Sequence, residues 1–200
     1  MNTNKTALIL VDSQNDFLSK EGKLYSMVEP ALTQNDVINK LNQLLKASHN
    51  ANMTVIHTPI VFEEGSLKTK QGLYGIMAPV AESGGFIRGT KGSEIADILD
   101  RADTDIVVEK NHICAFEDTN LEQVLKDKGI TTLILCGLLT DVCVEATMRI
   151  AYDKWFEVFT VTDATATIDM KKQEMTVESS FPLFSKPITT QAALSMMSEA

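Results

Sequence analysis

The stretch TTLILCGLLTDVCVEATMRIAYDKW, residues 131–155, combines a strand pattern with a helix pattern. Its first part is a continuous run of Leu and Ile, which is typical of a parallel strand covered on both faces. After the turn GLL, the apolar residues Val142, Ala146 and Ile150 recur at helical spacing. The stretch therefore predicts a β-strand that leads directly into an α-helix, with Cys143 at the junction.

Similar apolar runs recur along the chain with helical patterns between them. The predicted strands are 6–12, 53–57, 105–110, 131–137 and 156–164, with a weak one near 187–190. The predicted helices are 36–51, 119–129 and 140–155, with a weaker one at 93–101. This alternation predicts an α/β fold with three αβα layers, namely a doubly wound, mostly parallel, Rossmann-like sheet of five to six strands.

The chain has 200 residues, of which 44% are apolar, and this suits a single domain over 1–200. One segment, 58–92, is too long for an ordinary connection between a strand and a helix. Its glycines and scattered aromatic residues predict a loop insertion that contacts substrate or another subunit. A surface loop without such a role stays an alternative.

The net charge of −9 comes from 27 acidic and 18 basic side chains. Such a surface repels nucleic acid and anionic lipid, so we expect neither as a partner. The apolar N-terminal run is too short for a signal peptide or a membrane span. The three cysteines form no CxxC pair, which fits a reducing compartment. We therefore expect a cytoplasmic protein that acts on a small molecule.

Three reactive side chains follow predicted strands, where open α/β sheets bind their ligands. Asp12 ends the first strand, Lys110 ends the third, and Cys143 follows the fourth. Taken singly they have ordinary explanations as a turn residue, a solvated charge and a packed thiol. Together they supply a base, a cation and a nucleophile.

The helix that carries Cys143 adds further expectations. With Thr140 as the N-cap, Cys143 is the third helical residue, where the helix dipole stabilises a thiolate. A nearby Lys110 ammonium would lower the thiol pKa further. Backbone N–H groups of the turn GLLTDVC are suited to hold an oxyanion.

Three sequence blocks carry a resemblance to a known family. They are ALILVDSQNDF (7–17), VVEKNHICAFEDTNL (107–121) and LILCGLLTDVCVEATMRIAYDKWFEVFTVTDATAT (133–167). In this order and spacing they resemble the isochorismatase-like cysteine hydrolases, which include nicotinamidases, carbamoylsarcosine amidases, ureidoacrylate amidohydrolases and isochorismatases. The resemblance implies a catalytic triad of Asp12, Lys110 and Cys143.

The same resemblance implies the rest of the site. A cis peptide bond between Leu138 and Leu139 would orient the Leu139 N–H, which forms the oxyanion hole with the N–H of Cys143. The residues at positions that border the family's pocket are Gln14, Phe17, Phe116 and Leu138. The implied reaction is hydrolysis of a C–N bond in a small carboxamide or ureido compound. Relatives form oligomers, so we expect a homo-oligomer, a dimer or larger.

The expected metal content follows from one departure from the family pattern. Nicotinamidases carry an Asp-x-His pair soon after the second strand and two further histidines. Here the region reads VIHTPIVFEEG (55–65), with His57 alone. The sequence therefore predicts no metal and no cofactor.

Other functions stay open at this point. The main alternative is an isochorismatase-type vinyl-ether hydrolase, in which a carboxylic acid acts without a thiol nucleophile. A non-catalytic member of the fold is a second alternative. A redox role for Cys143 is a third, weakened by the lack of a resolving partner. Cys114 and Cys136 are interpreted as packed thiols.

Overall fold

Parallel strands form one six-stranded sheet in the computed structural model, which describes residues 1–67, 69–70 and 72–198. The strands are β1 Thr6–Val11, β2 Thr54–Thr58, β3 Ile106–Val107, β4 Thr132–Leu138, β5 Glu157–Ala166 and β6 Lys186–Ile188. Their order is β3-β2-β1-β4-β5-β6, and every neighbouring pair is parallel. The predicted fold class is confirmed, and each predicted strand overlaps a strand of the sheet, although the third is much shorter than predicted.

Helices cover both faces of this sheet. They are α1 Asn15–Leu18, α2 Tyr25–Gln34, α3 Val37–Asn50, α4 Met77–Ser83, α5 Leu121–Asp127, α6 Glu145–Asp153, α7 Met170–Met175, α8 Phe181–Phe184 and α9 Thr190–Ser198. Leu8 and Leu10 of β1 point into a core shared with α2, α3 and α9. Ala7 and Ile9 point to the other face, into a core shared with α5, α6 and α8. Alternation along one strand thus supplies both cores of the three-layer structure.

Helix α3 shows how the sequence builds one of these layers. Val37, Leu41, Leu44 and Leu45 follow the helical period, and all four are fully buried. With 14 residues, α3 is the longest helix in the described part of the chain. No helix among the residues that the structure describes has the length and apolar character needed to cross a membrane.

The predicted helix at 93–101 is wrong. Its backbone groups pair with the segment after β1: the Ala96 N–H donates to Ser13 O, and the Asp97 N–H donates to the Asn15 side chain. These bonds replace the i to i−4 bonds that a helix needs.

The predicted third strand is shorter in the structure. It consists of the two residues of β3, and Lys110 forms a separate bridge with Ile60.

Gly137 allows the two central strands to approach closely. The strand order reverses between β1 and β4, which is the point where open α/β sheets bind ligands. Val11 pairs with Gly137 there, and a Cβ on Gly137 would lie 2.1 Å from the Val11 carbonyl oxygen. The φ of Gly137 is also +108°, a conformation that side chains rarely adopt. A glycine is therefore required where β4 runs into the turn that carries Cys143.

We predict that Gly137→Ala lowers the free energy of unfolding by roughly 2–5 kcal/mol, because it adds backbone strain to an overpacked contact. Urea denaturation measures the loss. The matched control is Gly75→Ala, since Gly75 also has a positive φ of +61° but nothing within 4 Å of the added Cβ. A loss for Gly137→Ala no larger than that for Gly75→Ala would contradict the argument.

Candidate active site

A buried ion pair joins Asp12 to Lys110 at the carboxyl edge of the sheet. The Lys110 Nζ lies 2.7 Å from Asp12 Oδ1 and 3.0 Å from Oδ2. It also donates to the His112 carbonyl oxygen at 3.1 Å. Both charged side chains are buried, and Asp12 itself has a φ of +47°. Such a residue is held in a sparsely populated conformation by its surroundings, as is common at functional sites.

The chain that leaves β2 holds the two partners in place. The Asp12 N–H donates to Thr58 O at 3.3 Å, and the Lys110 N–H donates to Pro59 O at 3.0 Å. The Val61 N–H returns a bond to Lys110 O at 2.8 Å. Lys110 therefore reaches Asp12 although its own strand, β3, lies two positions from β1 in the sheet.

Cys143 lies in a π-helical turn, Thr140–Val144, between β4 and α6. The prediction that Thr140 caps the helix is wrong: Leu139 occupies the cap position, and Cys143 is the fourth residue of the helical segment. The Thr140 hydroxyl instead donates to Gln173. The Cys143 side chain lies against the Asp12 carboxyl and is almost fully buried, so the structure brings the three predicted residues together.

The predicted depression of the thiol pKa is also wrong. Burial raises the pKa of Cys143, the Asp12 charge raises it further, and Lys110 opposes both without outweighing them. Burial likewise raises the pKa of Asp12, against the opposing charge of Lys110. The pKa of Lys110 is raised because the charges of Asp12 and Cys143 outweigh the effect of its burial. Cys143 therefore rests as a thiol beside an Asp12 that is a stronger base than an ordinary aspartate.

The Leu139 N–H lies beside the Cys143 sulfur. The peptide bond between Leu138 and Leu139 is cis, as the resemblance implies. The Leu139 N–H hydrogen-bonds the Cys143 sulfur and donates to no backbone oxygen of the described residues. The carbonyl of Leu139 accepts from Val142 and Val144, each at 3.1 Å. An oxyanion hole formed by the N–H groups of Leu139 and Cys143 stays a prediction.

Both polar atoms of the Gln14 side-chain amide form hydrogen bonds with backbone groups. Its Nε2 donates to Ile60 O at 2.9 Å and to Ser93 O at 2.8 Å. Its Oε1 accepts from the Ile60 N–H at 2.9 Å. Gln14 is fully buried, so in this structure it ties the chain after β2 to the region of α1. Contact of Gln14 with substrate stays a prediction.

The other three predicted substrate-binding residues are packed side chains. Phe17 is buried and meets Phe86 edge to face at 4.9 Å. Leu138 is fully buried, and the half-buried Phe116 stacks on Phe156 at 6.1 Å. Their roles in substrate binding stay predictions as well.

A cavity of about 340 Å³ opens beside Lys110. Its wall comes from the insertion 58–92 and from residues around Lys110, namely Val61, Phe62, Glu63, Ser66, Leu67, Lys70, Arg88, Glu109, Lys110, Asn111, His112 and Asp118. Asp12 and Cys143 are not among the residues that line it. The sequence predicted Lys110 and the segment 58–92, but no motif marks most of the other residues of the wall.

His57 takes part in a separate buried network. The Nε2 of His57 lies 3.2 Å from Asp105 Oδ2, and the Nε2 of His49 lies 2.8 Å from Asp105 Oδ1. The described residues contain no group of three or more His, Cys, Asp or Glu side chains placed to hold a metal ion. The absence of a metal stays a prediction.

Comparisons with known proteins identify the family of this chain. The Isochorismatase domain model matches residues 6–192. Nicotinamidase 3 of Arabidopsis thaliana is 32% identical over 178 residues, covering 88% of this chain and 80% of the relative. Ureidoacrylate amidohydrolase RutB of Stutzerimonas stutzeri is 31% identical over 178 residues, covering 84% of this chain and 71% of the relative.

A solved structure extends the comparison to the fold. The crystal structure of a cysteine hydrolase from Pseudomonas syringae pv. phaseolicola matches with a TM-score of 0.84 and 25% identity, covering 100% of this chain and 95% of that one. The fold and the site define an isochorismatase-like cysteine hydrolase. The chain belongs to the isochorismatase family.

We predict that Asp105 contributes acid-sensitive stability. Burial alone would raise its pKa, but hydrogen bonds from His57, the Ala102 N–H and His49 hold that pKa below its ordinary value. This stabilisation is present above the ordinary aspartate pKa and is lost as the pH falls through the folded value. Asp105→Asn should therefore flatten the decline in the free energy of unfolding below about pH 5. Urea denaturation at several pH values measures the free energy of unfolding of both proteins.

The matched control for this prediction is Asp103→Asn. Asp103 is an exposed carboxylate of the same loop. Its variant should keep the acid dependence of the parent protein. The prediction would be contradicted if the free energy of unfolding fell equally steeply with decreasing pH in Asp105→Asn and in the parent protein.

We predict that Asp12→Asn slows alkylation of Cys143 by iodoacetamide at least tenfold. The variant loses the charge that raises the thiol pKa, but it also loses the group that accepts the thiol proton, and general-base assistance of roughly 10²–10⁴ in rate is the larger effect. Peptide mass spectrometry measures modification of each cysteine over time. Cys114, a half-buried thiol, is the internal reference for unfolding. An unchanged ratio of Cys143 to Cys114 labelling would show that Asp12 does not act on the thiol.

Proposed function

We propose that the protein hydrolyses a C–N bond of a small carboxamide or ureido compound, with Cys143 as nucleophile, Asp12 as proton acceptor and Lys110 as the cation that keeps Asp12 ionised. The observation that carries this proposal is the buried Lys110–Asp12 pair in contact with the Cys143 thiol. A buried carboxylate with a cation on one side and a thiol on the other is arranged for proton transfer from sulfur.

The first half of the reaction forms a thioester. As the Cys143 sulfur attacks the carbonyl carbon, its proton moves to Asp12, so that no isolated thiolate has to exist in the buried site. The carbonyl oxygen gains the negative charge and accepts hydrogen bonds from the N–H groups of Leu139 and Cys143. Asp12 then gives the proton to the departing nitrogen, the C–N bond breaks, and ammonia or an amine leaves.

The second half restores the enzyme. Water attacks the thioester carbon while Asp12 takes one of its protons. The C–S bond breaks, the sulfur of Cys143 recovers a proton from Asp12, and the carboxylic acid leaves. Lys110 stays protonated throughout, because its raised pKa holds the charge that stabilises the Asp12 carboxylate.

The charges around the cavity favour a neutral or singly charged substrate. Arg88 is already paired with Glu63 at 2.6 Å and with Glu109 at 2.8 Å. A substrate with two carboxylates would have to compete with these partners. Lys70 is the other exposed cation of the wall. This balance supports an amide or ureido compound over the dianionic substrate of a vinyl-ether hydrolase.

The names of the relatives point in the same direction. Nicotinamidase and ureidoacrylate amidohydrolase both denote enzymes that release nitrogen from an amide or ureido group. The family model carries the name of the vinyl-ether enzyme, which keeps that reaction as the second candidate. The two reactions differ in their need for Cys143.

We predict that the purified protein releases ammonia from at least one member of a panel of small carboxamides, ureido acids and N-carbamoyl compounds. Cys143→Ala should lose at least about 10³-fold of that rate, because the variant lacks the sulfur that attacks the carbonyl carbon. A coupled assay for ammonia gives the rate. Cys114→Ser is the matched control and should retain activity within a few-fold.

Three results would count against the proposal. Ammonia release that survives Cys143→Ala excludes the thioester route. Hydrolysis of a vinyl ether by both the parent and Cys143→Ala would favour the second candidate. No release from any compound, together with labelling of Cys143 no faster than Cys114, would favour a non-catalytic member of the fold.

A further inference from the structure

A buried glutamine outside the predicted triad reaches the turn that carries Cys143. Gln173 lies on α7, whose other residues are exposed or half-buried. Its side chain is directed inward, and the residue is only 4% exposed. A polar amide in such a position must find partners for both its nitrogen and its oxygen. The positions of those partners show which parts of the structure the Gln173 side chain connects.

The nitrogen of this amide is fixed by β5. Gln173 Nε2 lies 3.3 Å from Thr162 O, 3.4 Å from Thr165 O and 3.1 Å from Thr165 Oγ1. Two of these three atoms are carbonyl oxygens, which can only accept. The nitrogen must therefore face β5, and the oxygen must face the other way.

The oxygen of the amide meets the turn. The Thr140 hydroxyl donates to Gln173 Oε1 at 2.6 Å, and both residues are buried. Thr140 is the first residue of the π-helical turn, directly after Leu139 and three residues before Cys143. A displacement of Thr140 therefore moves both the Leu139 N–H and the sulfur.

No side chain caps the start of this turn. Two of its side chains are hydrogen-bonded to neighbouring elements instead. Thr140 donates to Gln173, and the Asp141 carboxylate accepts a hydrogen bond from the Thr167 hydroxyl just beyond β5. The turn is thus held from the side, by β5 and α7. Buried hydrogen bonds of this kind are stronger than exposed ones and costly to break.

We propose that Gln173 is a positioning residue of the active site, which acts through Thr140 to set the position of the nucleophile turn. This inference rests on the proposed function, in which Cys143 is the nucleophile. The amide of Gln173 clamps Thr140 to β5, so the sulfur stays within reach of Asp12 while the Leu139 N–H stays beside it. A misplacement of about 1 Å at such a site costs on the order of 10²-fold in rate.

The test measures the reactivity of Cys143 separately from stability. The variants are Gln173→Met, which keeps the size of the side chain but removes the amide, and Thr140→Val, which removes only the hydroxyl. Thr140→Ser retains the hydroxyl and serves as the conservative variant. Leu44→Ala is a destabilised control, since Leu44 is buried in α3 on the opposite core. Iodoacetamide labelling of Cys143 relative to Cys114 is followed from pH 5 to pH 9, and urea denaturation gives the stability of each protein.

We expect Gln173→Met and Thr140→Val to slow labelling of Cys143 at least tenfold and to change its pH profile. Thr140→Ser and Leu44→Ala should stay within about twofold of the parent, although Leu44→Ala is destabilised. Labelling within twofold in both Gln173→Met and Thr140→Val would overturn the proposal and leave Gln173 with a structural role only.

Two further outcomes are distinguished by the same experiment. If Cys143 of the parent protein is not labelled at any pH between 5 and 9, both the proposed function and this inference are overturned. If Gln173→Met does not fold, the pair Thr140→Val and Thr140→Ser decides, because both variants leave Gln173 on β5. Equal labelling of that pair would then overturn the proposal.

Discussion

The ion pair between Lys110 and Asp12 constrains much of the carboxyl edge of this sheet. Two opposite charges removed from water are tolerated only when they meet in good geometry and their remaining hydrogen-bonding capacity is used. Here the ammonium contacts both carboxylate oxygens and the His112 carbonyl. The backbone at the end of β2 lies between the chain segments that carry Asp12 and Lys110, and it accepts one hydrogen bond from the backbone N–H of each residue. The position of the insertion 58–92 is therefore tied to the same charge pair.

Burial raises the pKa of the Cys143 thiol, and the ion pair modifies that effect. Lys110 opposes the burial effect on Asp12, and Asp12 in turn adds to the burial effect on Cys143. Burial and these charges together keep the proton on the Cys143 sulfur. The sequence suggested a preformed thiolate because it placed Lys110 and a helix start near Cys143. It did not reveal the burial that outweighs both.

The sheet and the three reactive residues were predictable because each depends on a local signal. Continuous apolar runs mark buried parallel strands, and the ends of such strands meet at one edge. The contacts of Gln14 and of the segment 93–101 were not predicted, for a different reason. Their partners, Ile60, Ser93 and Ser13, are backbone groups brought near by the fold, and backbone groups carry no residue identity.

Gln173 and the ion pairs of Arg88 escaped prediction on similar grounds. Gln173 stands in a charged, exposed helix, and only the three-dimensional structure shows that its side chain turns inward. Arg88 lies in the insertion 58–92, where no period or motif distinguishes one cation from another. Long-range polar contacts of this type need the whole fold before they can be recognised.

The separation of 98 residues between Lys110 and Asp12 has a consequence for how the site comes into being. Closing so long a loop costs conformational entropy before any contact offsets it, so such contacts depend on prior assembly of the sheet. Cys143 lies still later in the chain, beyond the fourth strand. A nascent or fragmented chain therefore carries Cys143 as an ordinary thiol, and the chemistry of the site arises only with the completed central strands.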